Sequence, residues 1–210
     1  MAEPVQSPRE RYRAQVREEV KRHAWQQIAS AGVTALSLNA IAKEMGMSGP
    51  ALYRYFAGRD DLITALVMDA YRDLADTVRA AFDAGADAAG IAATIRGWAL
   101  ADPHRYLLIY GTPVPGYHAP DDVTAISNEI LAVLLEVCAV APEDGATAFD
   151  LHLDHRRVWV PDPVARTATV RRALVFWTRL QGVLSLELAG HFAPMGFDPG
   201  LLLAEEIAAL

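Results

Sequence analysis

Four small residues, Ser48-Gly49-Pro50-Ala51, stand just before Tyr53-Arg54-Tyr55. This order of side chains suits contact with double-stranded DNA. Small residues let a backbone come close to base edges, where a hydroxyl can bond a base and a methyl can touch thymine. Tyr53 and Tyr55 can donate to phosphates, and such contacts set register without reading sequence. Arg54 is the best candidate for a guanine edge, and Arg59 can pair with a phosphate. Ser37 and Asn39 lie upstream, at what reads as a helix start, where backbone N–H groups also favour a phosphate. The competing reading is that Leu52-Tyr-Arg-Tyr-Phe56 is an aromatic packing stripe in a helical bundle.

The elements that must hold these residues follow from caps and periodicity. Pro8 sits at a first helical position, and Val16, Val20, Ala24, Ile28 and Ala31 mark one apolar face. Gly32 stops that helix. Ser37 reads as an N-cap, and Leu38, Ile41, Ala42 and Met45 form the inner face of a short second helix. Gly46 breaks it. Ser48 caps a third helix with Leu52 and Phe56 facing inward and Tyr53-Arg54-Tyr55 outward. Gly58 ends the unit. Cap, turn, cap and break occur in the order of a helix-turn-helix, whose second helix enters the major groove by its N-terminal residues.

Bulk properties limit the classes. The 210-residue chain is 52% hydrophobic and 21% charged, as a globular protein is. The single cysteine, Cys138, excludes an internal disulfide framework and fits a reducing compartment. The polar start shows no leader pattern, and Glu136 interrupts the longest apolar run, so a soluble cytoplasmic protein without membrane contact is expected. The net charge of -7 argues against nucleic acid, but it is uneven. Residues 1–70 hold nine Lys/Arg against eight Asp/Glu, with Arg9, Arg11, Arg13, Arg17, Lys21 and Arg22 clustered early. A DNA module on an acidic remainder accounts for this.

The rest reads as mostly helical: 91–100, 103–110, 123–139, 168–190 and 199–210, with 111–122 a loop. Residues 85–90 form the best joint. Residues 150–163 read as an irregular loop. Trp98, His104, Tyr106, Tyr110, Phe176, Trp177 and Gln181 suit an apolar pocket with polar handles for a small-molecule effector. Trp177 and Gln181 stand one turn apart, as do Tyr106 and Tyr110. Helices 123–139 and 168–190 are apolar enough to pair with those of a second copy, and a homodimer suits two DNA half-sites.

The stretch from about 10 to 65 resembles the TetR-like (tetracycline-repressor-like) family of bacterial regulators. The resemblance is carried by Leu38, Ile41, Ala42, Gly46, Met47, Ser48, Leu52, Tyr53, Tyr55, Phe56, Arg59, Asp60 and Leu62. More weakly, Trp177 to Gly182 is similar to a Trp-x-x-x-His-Gly signature of one subclass, with Gln181 in place of histidine. The resemblance implies an all-α homodimer. An N-terminal three-helix DNA-binding domain (8–60) would bind a palindromic operator. A C-terminal helical ligand-binding and dimerisation domain (61–210) would take a small molecule that releases it. No cofactor is expected. Two other classes compete: a metal-binding helical enzyme using Asp150, His152, Asp154 and His155, and a structural helical adaptor.

Overall fold

The Ser7 hydroxyl accepts from the Glu10 N–H at 3.2 Å, and the Glu10 carboxylate accepts from the Ser7 N–H at 2.8 Å. This reciprocal cap opens α1 (Pro8–Ala31), with Pro8 where no donor is needed. The computed structural model describes residues 7–111, 114, 116–118, 120–139 and 146–210. After α1 come α2 (Leu38–Glu44), α3 (Gly49–Leu52), α4 (Arg59–Asp83) and α5 (Ala88–Ala101). Then follow α6 (Pro103–Tyr110), α7 (Asp121–Val137), α8 (Ala148–Asp154), α9 (Thr167–Leu188) and α10 (Pro199–Ala208). No strand occurs among the described residues.

Two apolar cores organise these helices. The first gathers Val16, Val20, Ala24 and Ile28 of α1 with Ile41, Leu52 and Phe56. Leu62, Ile63, Leu66 and Val67 of α4 close it, and Val123 at the start of α7 enters it as well. The second gathers Leu74, Ala75 and Val78 of α4 with the inner faces of α5, α7, α9 and α10. The division falls inside α4, between Val67 and Leu74. Met68 and Tyr71 of α4 and Ile109 of α6 touch both cores.

Two expectations change. Residues 150–163 are not wholly irregular, because α8 covers their first part. Thr147 and Asp150 form a second reciprocal cap, and Arg171 Nε donates to Asp150 at 2.9 Å, tying α8 to α9. The alternation of polar and apolar residues, which Pro161 and Pro163 cut short, hides this helix because α8 is largely exposed, with Leu153 its buried apolar residue. The third helix is shorter than expected. Beyond Leu52 the chain tightens into a turn, with Arg54 N bonded to Ala51 O and Tyr55 N to Leu52 O. Glycine and proline in four helical positions give little intrinsic helix strength. On α7, Val123, Ile126, Ile130, Val133, Leu134 and Leu135 are buried within its own chain, while Leu131, Ala132 and Val137 stay partly exposed.

Leu66 has no exposed surface. Leu66→Ala is expected to lower stability by about 2–5 kcal/mol, the cost of lost burial plus a cavity. Urea denaturation measures it.

Candidate nucleic-acid interface and effector cavity

The exposed end of the first core is built by clamps from α1. Ser37 caps α2 by accepting from Ala40 N, while its own N–H donates to Gln27 Oε1 at 3.0 Å. His23 Nδ1 and Glu44 Oε2 lie 3.1 Å apart, joining α1 to the end of α2. Gly46 turns the chain at a φ of 67°, a left-handed conformation that favours glycine. Arg13 donates to the Arg54 carbonyl at 3.3 Å, Arg17 to the Tyr55 carbonyl. The Arg17 guanidinium also lies 4.0 Å from the centre of the Phe56 ring. These arginines occupy the carbonyls left open where α3 ends. The early basic cluster thus contains structural members that spacing alone does not distinguish from phosphate-binding ones.

Among the expected DNA contacts, Asn39, Ser48, Pro50, Tyr53 and Arg54 are exposed, and Ser37, Gly49, Ala51 and Tyr55 are partly so. Ser48 makes no side-chain cap, so its hydroxyl is not engaged by α3. Asn39 is brought beside the start of α3, since a Cβ on Gly49 would stand 3.2 Å from Asn39 Oδ1. Arg59 donates to the Val33 carbonyl at 2.8 Å and so braces the turn after α1. Lys43 was absent from the expected set. It is exposed and follows Asn39 by four residues, so the two share a face of α2.

The second site is a cavity of about 280 Å3 between α4, α6, α7 and α9. Tyr71, Tyr110, Trp159 and Trp177 supply its rings. Ser127 and Asn128 supply polar atoms, and Ile130, Leu131, Leu134 and Leu174 supply apolar ones. Tyr110 meets Tyr71 edge-on at 5.9 Å and Trp177 at 5.2 Å between ring centres. Tyr106 lies 5.4 Å from Tyr110, and its hydroxyl donates to Gln181 Oε1 at 2.5 Å. Gln181 Nε2 is buried with no partner.

Of the expected pocket residues, the structure therefore gathers Tyr106, Tyr110, Trp177 and Gln181. Phe176 is fully buried in the second core. Trp98 turns its indole N–H onto Asp73 at 2.8 Å, and Asp73 also pairs with Arg105 at 2.6 Å. His104 faces a separate polar groove beside Trp25 and Arg105. Tyr71, Ser127, Asn128 and Trp159 were not anticipated. Tyr71 carried a usable signal, an amphipathic ring among the apolar residues of a long helix.

The His/Asp segment gains no support as a metal centre. Among the described residues no three His, Cys, Asp or Glu side chains converge. Asp150 is bound to Arg171, and Asp154 accepts from the Thr167 hydroxyl.

A helical head with an exposed small-residue helix start, joined to a helical body with an aromatic-lined cavity, defines a helix-turn-helix regulator. Known proteins agree. Residues 22–66 match the family of bacterial regulatory proteins, tetR family. Residues 88–210 match the tetracyclin repressor-like C-terminal domain. The HTH-type transcriptional regulator Rv1816 of Mycobacterium tuberculosis (strain H37Rv) is 36% identical over 211 residues, which are 90% of this chain and 88% of that protein. The crystal structure of the candidate regulatory protein SCO4313 is 61% identical with a TM-score of 0.90, over 97% of this chain and 98% of that one. The regulator FadR from Bacillus subtilis, solved with stearoyl-CoA, shares the fold at 12% identity and a TM-score of 0.59, over 91% and 95% of the two chains. The chain belongs to the TetR family of bacterial transcriptional regulators.

Burial raises the phenol of Tyr106 to about 12 and holds Tyr110 well above its ordinary value. Unfolding returns both to the ordinary phenol range. Their neutral burial is therefore fully stabilising below pH ~10 and is lost as pH rises toward ~12. Wild type is expected to lose stability across that window, and Tyr106→Phe to lose less. Thermal melts at pH 8 and pH 11, with tyrosine absorbance followed at 295 nm, check this.

Proposed function

We propose that this regulator is a ligand-responsive repressor, working in the cytoplasm as a homodimer on a palindromic operator. A small, largely apolar or aromatic molecule releases it. Ser48, Gly49, Pro50 and Ala51 approach the base edges, and Arg54 reads a guanine or a phosphate. Ser37, Asn39, Tyr53, Tyr55 and Arg59 serve the backbone, with Lys43 added to them. The observation that carries the reading is the shared helix α4. Its first half packs under the helix-turn-helix and its second half reaches the cavity.

The coupling has identifiable parts. On α6, Tyr106 and Tyr110 face the aromatic cluster, while Leu108 and Ile109 pack on the first core. At its end, a Cβ on Gly111 would collide with the Leu107 carbonyl, so this sharp exit needs glycine. Beyond it Thr64 of α4 donates to the Tyr117 hydroxyl at 3.2 Å. An effector that shifts α6 or α7 therefore tilts α4 and changes the separation of two heads. Half-sites recur at ~34 Å, so a small change in separation weakens binding. The dimer face is best supplied by α8 and α9. Phe149 and Leu151 of α8 and Leu186 of α9 are exposed apolar residues.

The test is binding of the purified protein to fragments flanking its own gene across a salt series. One palindromic fragment should be preferred, by a protein that sediments as a dimer at micromolar concentration. Arg54→Ala should cost about 1–3 kcal/mol if it reads a base, or lower the salt slope by about 1 if it binds phosphate. A monomer would overturn the dimer. A lack of preference for any fragment, with nonspecific binding unmoved by Arg54→Ala and Tyr53→Ala, would overturn the DNA assignment.

A further inference from the structure

The start of α3 carries little with which to read a base. Gly49, Pro50 and Ala51 have no hydrogen-bonding side chain, and Ser48 has a single hydroxyl. Asn39 of α2 occupies the space they leave. A Cβ on Gly49 would stand 3.2 Å from Asn39 Oδ1, so this amide lies where a side chain from the first residue of α3 would begin. The N-terminal residues of such a helix are the ones that meet base edges. Asn39 is exposed, and among the described residues its side chain makes no hydrogen bond.

The chemistry of Asn39 also differs from that of its neighbours. From Ser37 to Gly58 it is the sole carboxamide. A carboxamide holds an acceptor and a donor side by side, which matches the N6 donor and N7 acceptor of adenine in the major groove. Lys43 and Arg54 carry donors only and cannot accept from N6. Ser48 and Tyr53 each offer one oxygen, which cannot pair with both atoms in the plane of the base. The main chain of Asn39 meanwhile stays available to a phosphate. Its N–H lies in the first turn of α2, without an intrahelical acceptor, and the Ser37 hydroxyl is taken by Ala40 N.

We infer that Asn39 is a specificity-determining residue that reads one adenine in each half-site, with Oδ1 accepting from N6 and Nδ2 donating to N7. This rests on the DNA assignment above and adds a base contact to the backbone contact already given to Asn39. Gly49 is then part of the same device, because a methyl group there would push the amide aside by a few tenths of an ångström.

The test is selection of duplexes with a randomised centre by the full chain, for wild type, Asn39→Ala, Gly49→Ala and the double variant. Fluorescence anisotropy then measures affinity for the selected duplex, for its single-base changes and for a scrambled duplex. Wild type is expected to select adenine at one position of each half-site. Asn39→Ala should lose that preference alone, weaken binding to the selected duplex by about fivefold to a hundredfold, and bind the scrambled duplex as wild type does. The unchanged scrambled affinity shows the head folded. Gly49→Ala should relax the same position in wild type and change nothing further in Asn39→Ala. Equal weakening on selected and scrambled duplexes would make Asn39 a phosphate contact and overturn the base reading, as would a selected sequence in which Asn39→Ala alters no position. A Gly49→Ala effect that persists in Asn39→Ala would overturn the pairing of the two residues. These results would leave a sequence-specific DNA-binding protein, whereas selection of no sequence by wild type would remove the DNA assignment itself.

Discussion

Burial of α4 in two cores at once is the constraint on which the rest depends. Leu62, Ile63, Leu66 and Val67 lie under the helix-turn-helix, and Leu74, Ala75 and Val78 lie in the body. An α-helix is stiff over such a length, because each residue adds a backbone hydrogen bond to its neighbours. Neither core can shift without the other responding along that axis. Met68, Tyr71 and Ile109 make the junction continuous, since each touches both cores. Interiors this closely packed pass displacement on rather than absorb it.

Polar contacts refine this frame. Asp73 of α4 receives both the Trp98 indole and the Arg105 guanidinium, so α4, α5 and α6 meet at one carboxylate. Arg96 grips Glu187 with two bonds, at 2.9 and 2.6 Å, and joins α5 to α9. Partly exposed pairs of this kind contribute little individually, about 0–1 kcal/mol, so their use is register more than stability. The same holds at the head. Arg13, Arg17 and Arg59 all end on backbone carbonyls, where they fix the turns that present Ser48 to Arg54.

Much of the head was legible in the amino-acid sequence because its signals are local. Ser7 and Ser37 cap as their types suggest, Gly46 turns at positive φ, and the inner faces of α1 and α2 follow from spacing. The cavity was legible only in part, because periodicity gives the face of a helix but not what that face meets. Tyr106 and Tyr110 came together with Trp177 and Gln181 across two helices. Trp98 and His104 have the same chemistry but look onto Asp73 and a surface groove. Tyr71 sits in a long helix whose other apolar residues serve as core, and Trp159 in a proline-closed segment that reads as a loop. In α8 the decisive feature was a reciprocal cap of Thr147 with Asp150, which the surrounding histidines and aspartates obscured.

If α4 couples the cavity to the head, the two sites must be thermodynamically linked. Coupling is reciprocal, and allosteric coupling typically amounts to about 5–150-fold. The most direct measurement is the affinity for 2-ethylnaphthalene, a flat apolar probe of the cavity, with and without a saturating amount of the preferred DNA fragment. Several-fold weaker binding of the probe on DNA, matched by an equal weakening of DNA binding by the probe, is the predicted result. An unchanged affinity for a probe that demonstrably occupies the cavity would contradict it, leaving head and body as two sites on one chain.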